Sequence, residues 1–152
     1  MPYFIMAFLT RKSGVTPEQF RDYYTGSHLP MFRQLVGSHF PVRHTQRYIH
    51  RTEASSNSNN TRRNRSTPAS VLLGSQSDFD YDVIVTLEFK DAAAFQAHCD
   101  FVQQSDIRTK ITNDEKRFLD RSQTRTVVLG EIIEMTAHYT SSIPADSTRS
   151  SF

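Results

Sequence analysis

The sequence TPEQFRDYYTGSHLPMFRQLVGSHFPVRHTQRYIH, residues 16–50, decides how the chain is read. Thr16 can cap a helix, Pro17 sits at the first helical position where its missing N–H costs nothing, and Gln19 completes a capping box. Phe20, Tyr23, Tyr24 and Ser27 follow at helical spacing. Pro30 disfavours helical geometry at Leu29, so the helix is expected to end or kink there. A further short helical piece covers residues 31–36, and Gly37 stops it. Residues 41–52 then alternate, with Val42, His44, Gln46, Tyr48 and His50 on one side and Arg43, Thr45, Arg47, Ile49 and Arg51 on the other. That period is a strand.

Working outward, residues 3–10 form an apolar run that reads as a buried strand. Residues 81–89 are another, with Val83, Val85, Leu87 and Phe89 alternating against Asp82, Ile84, Thr86 and Glu88. Asp91 caps a helix whose buried side is Phe95, His98 or Cys99, and Val102. Residues 105–120 form a second helical stretch, apolar at Ile107, Ile111 and Phe118, and residues 124–136 the last strand. The order β-α-β-(loop)-β-α-α-β predicts an α+β fold of the ferredoxin-like, split βαβ kind. Its four-stranded antiparallel sheet carries the helices on one face. One domain is expected over residues 1–137, with residues 54–70 a Ser/Asn/Arg-rich mobile loop and 138–152 a flexible tail. The uncovered sheet face is expected to hold histidines, a tyrosine, Asp82 and Thr86, and to pair with a second copy around a cavity.

Eighteen Lys and Arg against sixteen Asp and Glu leave a formal charge of +2, too small to make nucleic acid or an anionic membrane the main partner. The apolar start is too short to span a bilayer and lacks the flanks of a signal peptide, so a cytoplasmic protein is expected. A single Cys99 excludes an intrachain disulfide and a cysteine-based zinc site. No HExxH-type spacing marks a metal, and five scattered glycines make no phosphate loop, so neither metal nor other cofactor is expected.

The chemistry-bearing residues cluster. Tyr24 and His28 stand four apart on one helix face and could flank a ligand, or pack the core and cap the helix end. His44, Tyr48 and His50 share a strand face, as either a site or a half-buried polar surface. Asp82 could orient an imidazole and keep it basic. His39, His98 and His138 attract little functional weight. Eleven Phe and six Tyr supply aromatic walls for a cavity.

The segments LTRKSGVTPEQFRDYYTGSHLPM, FPVRHTQRYIHR, YDVIVTLEF, DAAAFQAH and NDEKRFLDRSQTRTVV together resemble the EthD-like dimeric α+β barrel proteins, particularly their small fungal members. The resemblance covers about residues 3–134. It implies a ferredoxin-like subunit, a homodimer made by sheet-to-sheet packing, and a cavity in which the histidine of the helix motif, His28, lies. It also implies a cofactor-independent lyase or cyclase (dehydration, decarboxylation or aldol-type cyclisation) acting by His acid–base chemistry on an aromatic or polyketide-derived metabolite. The alternatives are a non-catalytic small-molecule binding protein and a lactone isomerase of aromatic catabolism. The expected catalytic residues are His28, His50, Asp82 and Tyr48. The expected substrate-binding residues are Tyr24, His44, Thr86 and Phe8.

Overall fold

The structure, a computed structural model, describes residues 1–53 and 64–138. Strand β1 (Tyr3–Leu9) leads into helix α1 (Pro17–Tyr23), a π-turn (Tyr24–His28) and helix α2 (Leu29–Val36). Strands β2 (Arg43–Tyr48) and β3 (Val83–Phe89), helices α3 (Ala92–Val102) and α4 (Ser105–Glu115), and strand β4 (Arg125–Val128) complete it. The four strands form one antiparallel sheet in the order β2-β3-β1-β4. This is the ferredoxin-like α+β arrangement expected from the element order.

The capping box forms as the sequence requires. Gln19 N–H donates to Thr16 Oγ1 at 3.1 Å and Thr16 N–H donates to Gln19 Oε1 at 3.0 Å. Pro30 does not end the helix. The chain stays helical to Val36, where Gly37, at φ 53°, closes it. A proline inside a helix removes one N–H and presses its ring on the preceding turn. Here the turn before it widens, so that Leu29 N–H reaches back to Tyr24 O, five residues away.

The core lies between the helices and one sheet face. Ala7, Leu9, Val83 and Val85 meet Phe20, Tyr24 and Phe118, and Phe20 is wholly buried. The register places His44 opposite Leu87, Gln46 opposite Val85 and Tyr48 opposite Val83, so β2 turns these side chains toward the helices as well. The expectation that the histidines and tyrosine line the open face is therefore corrected. That face carries Phe4, Met6 and Phe8 from β1 and Ile84, Thr86 and Glu88 from β3, with Arg43, Thr45 and Arg47 from β2. Alternation separates two sets of side chains without saying which set faces in, and the aromatic core could accept the polar one.

Two other expectations change. The last strand is shorter than residues 124–136, because β1 begins at Tyr3 and offers nothing to pair beyond Leu129 N–H on Phe4 O. Of the loop expected over 54–70, residues 54–63 lie outside the described residues, as do 139–152 of the tail. Residues 64–70 are packed: Asn64 and Ala69 are buried, and Ala69 bridges to Arg51.

Asp82 holds this region together. It precedes β3 and accepts from Arg11 N–H at 2.8 Å and from the Arg11 guanidinium, with Arg51 Nε at 3.6 Å. Arg51 in turn donates to the carbonyls of Thr67, Phe79 and Tyr81. All three charged side chains are over nine-tenths buried. Removing one member of such a group leaves charge uncompensated in low dielectric, which costs about 3–5 kcal/mol. Asp82→Asn should therefore lower the urea-unfolding free energy by about that much, and a loss below about 1 kcal/mol would show that the two arginines do not depend on it.

Candidate active site

The π-turn sets the site. In a regular α-helix five residues turn about 140° past a full circle, which would put Tyr23 and His28 on different sides of the rod. A π-turn takes up an additional residue, and π-turns recur at functional sites. Here Tyr23 and His28 reach the same carboxylate on α4. The Tyr23 hydroxyl donates to Asp114 Oδ1 at 2.7 Å, and His28 Nδ1 donates to Oδ2 at 2.7 Å. Burial pushes the Asp114 carboxyl up, but the hydrogen bonds from Tyr23 and His28, with the charges of His28 and Arg117, outweigh it and hold it below its ordinary range. Ionised, Asp114 is an acceptor only, so the Nδ1 proton is fixed and Nε2 is left for other chemistry.

His28 is 7% exposed and ringed by aromatic groups. Phe118 lies 4.9 Å from it between ring centroids, Tyr24 5.9 Å and Phe32 6.1 Å. Among the described residues its Nε2 makes no hydrogen bond, yet it is not sealed away as a buried orphan. Next to it the Tyr24 hydroxyl meets His44 Nε2 at 3.1 Å. Burial, assisted by the nearby His28, pushes His44 down to about 4, against a weaker opposing pull from its own backbone. Burial also pushes the Tyr24 phenol far up, so both groups are neutral near pH 7. His44 Nδ1 is buried without a partner.

Three cavities border residues of this row or their neighbours. A groove of about 780 Å³ reaches His44 past Thr25, Arg33 and Phe40. Another, about 620 Å³ and lined by Lys110, Asn113 and Arg117, reaches Asp114 from outside. A smaller one of about 210 Å³ lies between Phe32, His98 and Glu115. Burial pushes the Glu115 carboxyl up, opposed by Arg121 and His28. Among the described residues no group of three or more His, Cys, Asp or Glu side chains could hold a metal ion, and no helix is long and apolar enough to cross a membrane.

The EthD domain family model matches residues 12–122, which span the helix with its π-turn, all of β2 and β3, and α4 with Asp114. The chain belongs to the EthD family. An ethyl tert-butyl ether D (EthD) family protein from Bacillus halodurans C-125 is similar in fold, with a TM-score of 0.51 at 12% identity over 87% of this chain and 100% of that one. An EthD-like protein from Ralstonia eutropha JMP134 aligns at a TM-score of 0.49 and 14% identity, over 90% of this chain and 96% of that one. No curated protein matches the chain.

Within this EthD domain, the residues singled out from sequence divide into two groups. His28, Tyr24 and His44 are brought together, and Tyr48 borders them through Phe20, at 6.4 Å between rings. The Tyr48 hydroxyl donates to Gln46, and that of Tyr24 is engaged with His44. His50 is exposed, with Nδ1 2.7 Å from Ser70 Oγ, and shares a cavity of about 300 Å³ with Tyr48 and Asp82 rather than with His28. Asp82 pairs with arginines and orients no imidazole. Phe8 and Thr86 lie on the opposite sheet face, where Phe8 packs edge-on against Tyr81.

The partner of His28 that sequence reading missed is Asp114. Its signal was present: Ile107, Ile111 and Phe118 mark the inward stripe of α4, and Asp114 falls on that stripe between them. An acid at an apolar-stripe position needs a buried partner.

The environment of His44 gives a direct test. Its folded value, about 4, lies below the unfolded 6.5, so the unfolded chain binds more protons between these limits. Its contribution to stability is whole above pH 6.5 and is lost as the pH falls toward about 4. In an NMR titration the His44 ring should titrate near pH 4. A His44 midpoint between pH 6 and 7 would contradict the burial argument, since about 6.5 is the unperturbed value.

Proposed function

We propose that this chain is a cofactor-independent lyase or cyclase that moves protons through His28 on an aromatic or polyketide-derived metabolite. The observation that carries the reading is a buried imidazole with one nitrogen fixed on Asp114 and the other without a hydrogen bond among the described residues, beside aromatic rings. A carboxylate that holds one imidazole nitrogen keeps the ring oriented and stabilises the imidazolium form. Nε2 takes a proton from carbon beside a substrate carbonyl, leaving an enolate. It returns that proton to the group that departs or to the carbonyl oxygen of the new bond. Dehydration and aldol closure pass through this enolate; in decarboxylation the same enolate forms by loss of carbon dioxide, and Nε2–H then protonates its carbon.

Asp114 replaces Asp82 as the orienting acid, and His50 has no part in the step. His44 and Tyr24 form a neutral, mutually bonded wall that keeps His28 from facing a second charge. Phe118 and Phe32 supply the apolar surface that a polycyclic substrate needs.

A panel of hydroxylated aromatic ketones, followed by absorbance, supplies the assay. His28→Ala should reduce turnover by about 10²–10⁴-fold with the melting temperature little changed, and Asp114→Asn should give a smaller, clear loss. Full activity in His28→Ala would remove the acid–base role. We also expect the open sheet face, with Phe4, Met6, Phe8 and Ile84, to be covered by a second copy of the chain. Sedimentation at micromolar concentration giving a species of 17.5 kDa would refute that pairing.

A further inference from the structure

His98 is the buried histidine that the proposed chemistry does not use. It is 8% exposed on α3, and its Nδ1 lies 2.7 Å from the carbonyl oxygen of His39. A carbonyl can only accept, so Nδ1 carries the proton. Burial pushes the imidazole down, with the His39 carbonyl opposing, so the ring is neutral near pH 7 and Nε2 presents a lone pair. Among the described residues Nε2 has no hydrogen-bond partner, and it is not a sealed orphan.

The space it borders is an open cleft of about 210 Å³, lined by the apolar Phe32, Val102 and Ile111 and by the charged Arg108, Glu115 and Arg121. An apolar cavity of about 150 Å³ is enough to hold benzene. This one therefore has room for a single substituted ring. Phe32 is the wall it shares with the proton-transfer site. One side of that ring stacks on His28 at 6.1 Å, nearly parallel, and His98 meets it edge-on at 5.9 Å.

We propose that this cavity seats a phenolic ring, whose hydroxyl donates to Nε2 of His98. The placement of that ring as part of the substrate rests on the acid–base reading above; the binding itself does not. An acceptor that a bound ring covers without donating to it loses its hydrogen bond to water, which costs free energy. A pocket built to accept from a hydroxyl thus rejects the methyl ether of the same ring. The bound class is therefore hydroxyarenes, and O-methylated rings are disfavoured.

Phenol and anisole, titrated separately into the full chain and followed by NMR shifts at the His98 and Ile111 resonances, test this. Phenol should bind about tenfold more tightly than anisole, the effect of one buried hydrogen bond made or lost. His98→Phe should abolish that preference, and His98→Gln, which keeps an acceptor, should retain part of it, each variant being checked by thermal melting. Equal binding of the two probes to the unaltered chain, or no binding of either, overturns the proposal. So does a preference that survives in a folded His98→Phe. His28→Ala should keep the preference intact. A retained preference with unimpaired turnover in that variant would leave the ring seat standing and sink the acid–base reading. Loss of turnover without any preference in the unaltered chain would do the reverse.

Discussion

A proline placed inside a helix governs the geometry of this molecule. Pro30 cannot supply an N–H and cannot sit on a regular preceding turn, and the chain answers by widening that turn rather than stopping. The wider turn spends an additional residue between Tyr23 and His28, and so aims both at one carboxylate. The same rod, from Pro17 to Val36, presses Phe20 and Tyr24 on the sheet below. A local steric conflict is thereby converted into a long-range alignment. The helix that covers the core and the helix that carries the imidazole are one continuous element.

The two acidic anchors divide the labour. Asp82 pairs with Arg11 and Arg51 just before β3, while Asp114 on α4 pairs with His28. Asp82 is buried and Asp114 half-buried among groups that donate to them, and their surroundings differ. Asp82 is closed in by arginines that stay charged at any ordinary pH. Asp114 faces a tyrosine and an imidazole, which can both give and take protons.

Much of this was legible in the chain itself. The capping box at Thr16, the alternation of Val83, Val85 and Leu87, the cap at Asp91 and the order of elements lead to the ferredoxin-like sheet without ambiguity. The family resemblance drawn from the helix motif agrees with the matched EthD domain. What stayed hidden was orientation. His44 and Tyr48 belong to a polar-looking strand set that faces inward because the core above it is aromatic and can hydrogen-bond. Phe8 looks like a cavity residue by type and faces the other way by register. Pairings across the chain were equally out of reach, since nothing local tells Asp82 to choose Arg11 over an imidazole. The length of β4 depended on where β1 begins, a property of its partner rather than of its own residues.

The register of the sheet also has a bearing on synthesis. β1 pairs with β3, so Tyr3 finds its neighbour at Phe89, and β2 likewise waits for the same central strand. Neither β1 nor β2 has a hydrogen-bonding partner until residues 83–89 have left the ribosome. The apolar first strand waits with open edges while the residues up to β3 are made, the condition under which chains with distant strand pairings aggregate or recruit chaperones.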